Sequence, residues 1–380
     1  MAGWLDIVRL GEVVGWFPVT SEEIPSRLAL VVNGQRTGHV AEARPRKDLD
    51  SKNISGTGFY FRVALEVGDR VSVIDVQSEA AVNGGVRFVA GERKSPLNMV
   101  LVCIMKREED YLLEWIAYHR LHGFNIIVGD NSDDAGDLQS RLLAELHSAG
   151  EIERVDLIGV PYAQMQFFDA TLQRFRDENT IIGFLDCDEF LTPVSNRHSA
   201  GMIVAEYFSD WSVSAVGFNW ACYGSSGHTS KTPGLVIERF TSRAPQNYAA
   251  NRHVKTFVRG GRAHAFVGNP HAVSLEWGNY LQSDFSKVVW SNLGRGITNA
   301  VIWNGLRINH YTIKSREEFQ IKGQRGSAIS ANNSLVKQRQ DYFSGYDQNQ
   351  IQDRALVGQA ETVAAQVERI RGKCSAATLE

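Results

Sequence analysis

From residue 98 the chain alternates apolar runs with segments of helical period, and this grammar constrains the fold more than any other feature. "NMVLVCIMK" is apolar almost throughout, as suits a strand covered on both faces of a parallel sheet. "EEDYLLEWIAYHRLHG" follows, with Leu112, Trp115, Ile116 and His119 at helical spacing and a glycine past the last turn. "FNIIVGDNSDD", "AGDLQSRLLAELHSAG", "IERVDLIG", "QFFDATLQRFRDEN" and "TIIGFLDCDEFL" continue the series as strand, helix, strand, helix, strand. That order implies an α/β fold, a mostly parallel sheet with right-handed crossovers flanked by helices. Such sheets bind ligands at the carboxyl ends of their strands. Three charged clusters fall there: Lys106 to Asp110, Asp130 to Asp134, and Asp186 to Glu189.

In an extended segment residues i and i+2 share a side, so Asp186 and Asp188 are expected to face one ligand while Cys187 faces away. Two hard carboxylates suit Mn²⁺ or Mg²⁺, whose remaining positions are commonly filled by water and phosphate oxygens. The alternative is that Asp188 or Glu189 only caps the next element. Lys106 ends a strand within reach of a phosphate, whereas Glu108, Glu109 and Asp110 suit the first turn of a helix. Asp130 is placed to accept hydrogen bonds from a base or ribose, although acids and amides after a strand are also ordinary turn formers. "NWACYGSSGH" offers Trp220 and Tyr223 for stacking on a sugar, followed by a Gly-Ser loop that includes Ser225. "RINHYTIKS" ends an apolar run at His310 and Tyr311, with Lys314, Lys322 and Arg325 downstream. The histidine offers a nitrogen to a metal, and the cations offer charge-assisted hydrogen bonds to a diphosphate.

With 380 residues, two domains are expected. A hydrophobic share of 43%, a charged share of 22% and a net charge of -3 describe a folded chain without a polyanion-binding surface, so no nucleic-acid partner is expected. The four cysteines form no CxxC pair, which argues against a structural zinc site or a disulfide framework and fits a reducing compartment. No stretch approaches the ~20 apolar residues of a membrane span, so the expected location is cytoplasmic, with peripheral attachment to the inner face of a membrane compatible. Residues 1–92 carry short β-like runs, with Asn33-Gly34 as a hairpin turn, and are expected to form a small β-sandwich accessory domain. The main domain is placed at 98–327 and a C-terminal helical extension at 328–380. From about 212 the pattern turns more β-like, "LVIERF" and "VKTFVRG" included, before helical sequence from Arg316. Signatures of dinucleotide, P-loop, serine-hydrolase and zincin sites are missing from the sequence.

Taken in order, "IMKREEDYLLEWIAYHRLHGF", "VGDNSDD", "GFLDCDEFL", "NWACYGSSGH", "LVIERF" and "INHYTIKSREEFQIKGQRG" resemble a bacterial glycosyltransferase family of the GT-A fold, related to family-2-like and family-92-like transferases. The resemblance implies that Asp186 and Asp188 are the DxD pair on Mn²⁺ or Mg²⁺ and that Lys106, Glu109 and Asp130 lie beside the nucleotide. It makes His310 the C-terminal metal ligand, with His271 in "GNPHAV" as competitor. Lys314, Lys322 and Arg325 would hold the donor diphosphate, and Trp220, Tyr223 and Ser225 the acceptor. An inverting displacement needs a base, for which Glu238 is the first candidate and Glu189 the second; a salt bridge of Glu238 with Arg239 or Arg243 is the structural alternative. Before the DxD strand, "YAQMQFFDA" offers Gln164 or Gln166 for the family's glutamine. The implied function is transfer of a sugar from a nucleotide-sugar donor to a glycan or lipid-linked acceptor in surface polysaccharide biosynthesis. A sugar nucleotidyltransferase would need a glycine-rich loop after the first strand, which "CIMKREED" lacks. A carbohydrate-binding protein with a weak or inactive transferase domain is the second reading.

Overall fold

A computed structural model describes residues 3–9, 12–46, 49, 54–63, 65, 69–88, 97–195, 199–324 and 340–379. It divides into two compact units: Met1–Pro96 with Glu206–Ser214 and Trp277–Asn279, and the remainder.

In the first unit two four-stranded antiparallel sheets share one core. One runs Trp4–Arg9, Glu12–Phe17, Thr57–Arg62, Glu42–Arg44, and the other Gln35–Val40, Leu28–Val32, Arg70–Asp75, Arg87–Phe88. Leu5, Val13, Phe59 and Phe61 from the first face Leu28, Leu30, Val71 and Val73 from the second, all buried. The Asn33-Gly34 hairpin forms as expected, both residues having positive φ (52° and 81°), where two-residue turns place their central positions. Arg27 grips Asp75 through Nε and, at 3.0 Å, Nη2.

The second unit is built on a long mixed sheet. Glu153–Asp156, Asn125–Asp130, Asn98–Met105 and Thr180–Phe184 lie side by side and parallel, as the alternating sequence requires. Their crossovers are the helices Leu112–Leu121, Leu138–Ser148 and Gln164–Arg174. Beyond Thr180–Phe184 the direction changes. Val254–Arg259 runs antiparallel to it and to Val213–Cys222, which pairs in parallel with Leu306–His310, itself antiparallel to Glu189–Pro193. Gly183 sits where this switch is tightest: a Cβ there would lie 2.3 Å from the Phe257 ring. "LVIERF", read as β-like, forms instead the single helical turn Val236–Arg239. Its first amides are satisfied by the buried Glu114 carboxylate, at 2.8 Å from Val236 N and 3.1 Å from Ile237 N. The C-terminal helix Ala360–Arg371 buries Val363, Val367 and Ile370 and packs on Leu112–Leu121, so it belongs to the second unit.

The Arg27 hydrogen bonds come first among the causes that lower the Asp75 carboxyl to about 2, well under its ordinary value. A depressed acid contributes stability above its unfolded pKa and loses it as pH falls through the folded one. Asp75→Asn is therefore expected to lower the melting temperature at neutral pH, with the gap to wild type closing between about pH 4 and pH 2. Thermal unfolding followed across that range would show a pH-independent gap if the pair contributed nothing.

Candidate functional site

The strand order gathers three kinds of strand terminus on one edge. Met105, Asp130 and Phe184 end parallel strands there, Val254 begins an antiparallel one, and Trp220 to Cys222 and His310 end the strands beyond. Leu185 prolongs its strand with a hydrogen bond to Val102 O, and Glu189 N then donates to Asp186 O at 3.0 Å. "DCDE" is thus a tight turn, and the expected extended geometry, with both aspartates on one side, does not hold. Asp186 stays half exposed while Asp188 is buried. Cys187 is packed inward, as the alternation implied, with its thiol against that of Cys103.

Each aspartate has its own cation. Lys255 Nζ lies 3.0 Å from Asp186 Oδ2 and 3.3 Å from Glu189 Oε2, and is wholly enclosed. Burial works to lower this lysine, but Asp186 and Glu189 outweigh it and hold the ammonium above its ordinary value. Gln164 Nε2 donates to Asp186 Oδ1 at 2.9 Å, which selects Gln164 over Gln166 as the amide beside the motif. Lys322 Nζ grips Asp188 Oδ2 and donates to Thr312 O at 2.7 Å. Against the upward push of burial, the Lys322 ammonium first and then that of Lys314 hold Asp188 well below the usual carboxylate range. Local sequence aims Lys322: Ser315 and Glu318 cap each other reciprocally at the start of the Arg316–Gln324 helix, and Lys322 follows two turns on. Glu318 also holds Arg239 at 2.9 Å and accepts from Tyr111 OH, over whose ring Lys314 Nζ sits at 4.0 Å.

His310 Nε2 lies 3.6 Å from Asp188 Oδ1, and burial lowers its imidazole to about 3 so that it is neutral. His271 is not beside Asp188. Its Nδ1 faces Val254 O at 3.1 Å and its ring packs edge-on to Trp220, next to Lys255 and Asp186. Trp220 is shared by three imidazoles, with centroids 4.7 Å from His253, 5.2 Å from His271 and 4.1 Å from His310. Among the described residues no group of three His, Cys, Asp or Glu side chains gathers in metal-ligand geometry. The donor chemistry at Asp188 and His310, one hard oxygen and one neutral nitrogen in a buried setting, nevertheless fits an ion that completes its shell with phosphate oxygens.

Several expected residues do other work. Asp130 is sealed: Oδ2 accepts Arg154 Nε and Nη2 at 2.9 and 2.7 Å, and Oδ1 accepts from Ser132 Oγ at 2.6 Å and Gln139 Nε2 at 3.2 Å. No lone pair is left for a ribose. Asp133 and Asp134 are the exposed acids of this cluster, and Asp133 pairs with Lys106 Nζ at 2.6 Å and accepts Arg107 Nε at 2.9 Å. Glu109 lies half-buried in the turn entering the Leu112–Leu121 helix. Glu238 is exposed and accepts the Leu235 amide at 3.2 Å, a helix-start contact rather than a base, and neither Arg239 nor Arg243 is its partner. Glu189 is fully buried beneath the turn, where Oε2 accepts Asp186 N at 2.8 Å. Burial pushes its carboxyl up to about 8 against the pull of Lys255, and its place is that of a positioning residue. Tyr223 is buried with its hydroxyl on Arg307, and Ser225 Oγ accepts Gly227 N, so neither offers a binding surface. Arg325 lies outside the described residues. Lys255 and His253 were missed by sequence reasoning, though a lysine inside the apolar strand "VKTFV" is a signal for a buried charge in need of a partner.

Lys255→Met would leave the half-exposed Asp186 and the buried Glu189 without their shared cation and is expected to lower the unfolding free energy by about 1–3 kcal/mol, measured by urea titration. Adding Glu189→Gln should recover part of that loss, and additive losses would show that the two side chains do not interact.

Residues 98–284, just under half of the chain, match the family model described as Glycosyltransferase family 92. No curated protein matches. Among solved structures the chain is similar to TarS of S. aureus, at 15% identity with a TM-score of 0.26, over 43% of this chain and 28% of that one. It is also similar to the galactosyltransferase LgtC in complex with donor and acceptor sugar analogues, at 11% identity with a TM-score of 0.27, over 65% of this chain and 100% of that one. The chain therefore spans little more than a quarter of TarS. The glycosyltransferase resemblance carried by the ordered motifs is borne out by this family-92 match over residues 98–284.

Proposed function

We propose that this glycosyltransferase is metal-dependent and moves a sugar, with inversion, from a nucleotide-sugar donor to a hydroxyl of a glycan or lipid-linked acceptor in surface polysaccharide biosynthesis. The observation that carries the reading is the pairing of Asp188 with a neutral His310, both buried and both beside the Lys322 ammonium. Asp188 and His310 would hold Mn²⁺ or Mg²⁺, with Asp186 at the rim. When bound, the ion supplies charge neutralisation for a departing nucleoside diphosphate.

The remaining work falls to the chain itself. Lys322 and Lys314 carry positive charge to the phosphate side, where charge-assisted hydrogen bonds are strongest. Lys106 and Asp133, paired at the far end of the parallel strands, suit a phosphate oxygen and a ribose hydroxyl respectively. The partly exposed His253, backed by the buried Trp220 on which it stacks, would meet a sugar face, while Trp220 itself is covered by imidazoles. Gln164 and Glu189 fix the acidic turn, so that Asp186 and Asp188 do not have to reorganise when the donor arrives. Both carboxylates read from the sequence as the base are occupied elsewhere, so the displacement is tested on its product. Among the described residues no helix is long and apolar enough to cross a membrane. Acceptors carried on a lipid would then be met at the membrane surface.

A thermal-shift screen of nucleoside diphosphates should raise the melting temperature only when Mn²⁺ or Mg²⁺ is also present. Asp188→Asn is expected to abolish the metal-dependent part of that shift and to lower transfer by at least roughly 100-fold, the order of losing one preorganised electrostatic contact. Diphosphate binding that ignores the metal would overturn the metal reading. Glu238→Ala should transfer sugar at close to the wild-type rate, and proton NMR of the product should show an anomeric configuration opposite to that of the donor.

A further inference from the structure

A cavity of about 590 Å³ is used by none of the contacts above; it is lined by Gln246, Asn247, Arg252, Asn299, Ala300 and Val301. Its walls are two loops, one before the Val254–Arg259 strand and one before Leu306–His310, and both are tied to a single side chain next to Trp220. Asn219 Nδ2 donates to Asn251 O and Arg252 O, each at 3.2 Å, and to Thr298 Oγ1 at 2.9 Å, while Asn219 Oδ1 accepts Ile302 N at 3.1 Å. Thr298 Oγ1 in turn donates to Arg252 O at 3.1 Å, and Gln246 Nε2 crosses the cavity mouth to Val301 O at 2.9 Å. The two loops that wall the cavity are therefore tied to each other by hydrogen bonds, those from Asn219 to Asn251 O and Thr298 Oγ1 being buried.

Its position relative to the acidic turn follows from the chain. Arg252 precedes His253, which stacks on Trp220, and Lys255 follows two residues later with its ammonium on Asp186. Three residues of extended backbone place the Cα of Arg252 within about 10 Å of that of Lys255, whose side chain then reaches Asp186. Trp303 Nε1 donates to Trp220 O at 3.1 Å, so the second wall is fastened to the same aromatic residue. The lining is chemically one-sided: three amide side chains, two small apolar residues and one guanidinium. The Arg252 Nε is buried without a protein acceptor, and among the described residues no carboxylate forms an ion pair with this arginine. Amides exchange hydrogen bonds with sugar hydroxyls, and a guanidinium with open donors recognises a planar carboxylate or a phosphate.

From this we infer that the cavity is an acceptor subsite for a carbohydrate bearing an acidic substituent, with Arg252 on the anionic group and the amides of Asn247 and Asn299 on neighbouring hydroxyls. The inference rests on the transferase reading for the word acceptor, but the binding it describes stands without a donor. Saturation-transfer NMR on the full chain, with and without Mn²⁺ and nucleoside diphosphate, would use methyl glucuronide, glucose 6-phosphate and methyl glucoside as probes. At least one acidic probe is expected to bind roughly tenfold more tightly than the neutral one, the scale of one charge-assisted hydrogen-bonded contact. The uronide and phosphate arms tell the two anionic groups apart. Arg252→Gln should remove the preference and Arg252→Lys should restore part of it. Equal binding of acidic and neutral probes by the wild-type chain, no binding of any probe at millimolar concentration, or a preference that survives Arg252→Gln would each overturn the inference. Failure of nucleoside diphosphates to bind, with the acidic preference intact, would instead count against the transferase reading and leave the subsite standing.

Discussion

The acidic turn from Asp186 to Glu189 can exist only because two lysines from distant parts of the chain reach it. Three carboxylates within four residues, two of them buried, would repel one another and lose their hydration without compensation. Lys255 answers Asp186 and Glu189 from the middle of a neighbouring strand, and Lys322 answers Asp188 from a helix more than a hundred residues away. Much of the second unit can be read as the means of delivering those ammonium groups. The strand Val254–Arg259 carries one, and the Ser315–Glu318 cap sets the helical register of the other.

That arrangement bears on the chemistry as well as the stability. A cation already paired with Asp188 keeps the carboxylate ionised at neutral pH although burial pushes the other way, and burial keeps His310 neutral. Both groups are thus in the protonation state a divalent ion requires of its ligands. Glu189 is the counterexample within the same turn. With burial dominant and only part of one lysine's charge, its carboxyl rises, and its contribution is the hydrogen bond that closes the turn.

The parallel half of the sheet was legible because each of its elements is long, apolar and locally periodic, and the sequence singled out Asp188, His310 and Lys322, which the fold brings side by side. What was not legible depends on partners far along the chain. Asp130 and Asp133 look alike in "GDNSDD", and only the approach of Arg154 decides that the first is sealed and the second presented. Glu238 looks like a free acid in "LVIERF" until the buried Glu114 and the Leu235 amide turn that segment into a helical start. The i, i+2 argument at Asp186 and Asp188 assumed an extended backbone, and the Asp186–Glu189 turn removes the premise while leaving both residues at the site. Tyr223 was an aromatic in a promising loop, but its hydroxyl belongs to Arg307 and thereby to Asp353 near the C-terminus.

The change of strand direction after Phe184 has a consequence that a wholly parallel sheet could not supply. In a parallel sheet one edge carries only strand ends, and each side chain beyond it sits on a loop leaving the sheet. Here Val254–Arg259 enters at that edge, so Lys255 is placed by strand pairing, opposite Phe218, on a strand that is itself paired on both sides further along. The segment leading into it must then lie over the same edge, which is why His253, Arg252 and the loop walls tied to Asn219 stand next to the acidic turn. On the proposed function, the parallel strand ends would meet the phosphates and the entering strand would face the acceptor. A donor and an acceptor, on that proposal, would meet where the sheet reverses, because strand ends and an entering strand both set side chains there.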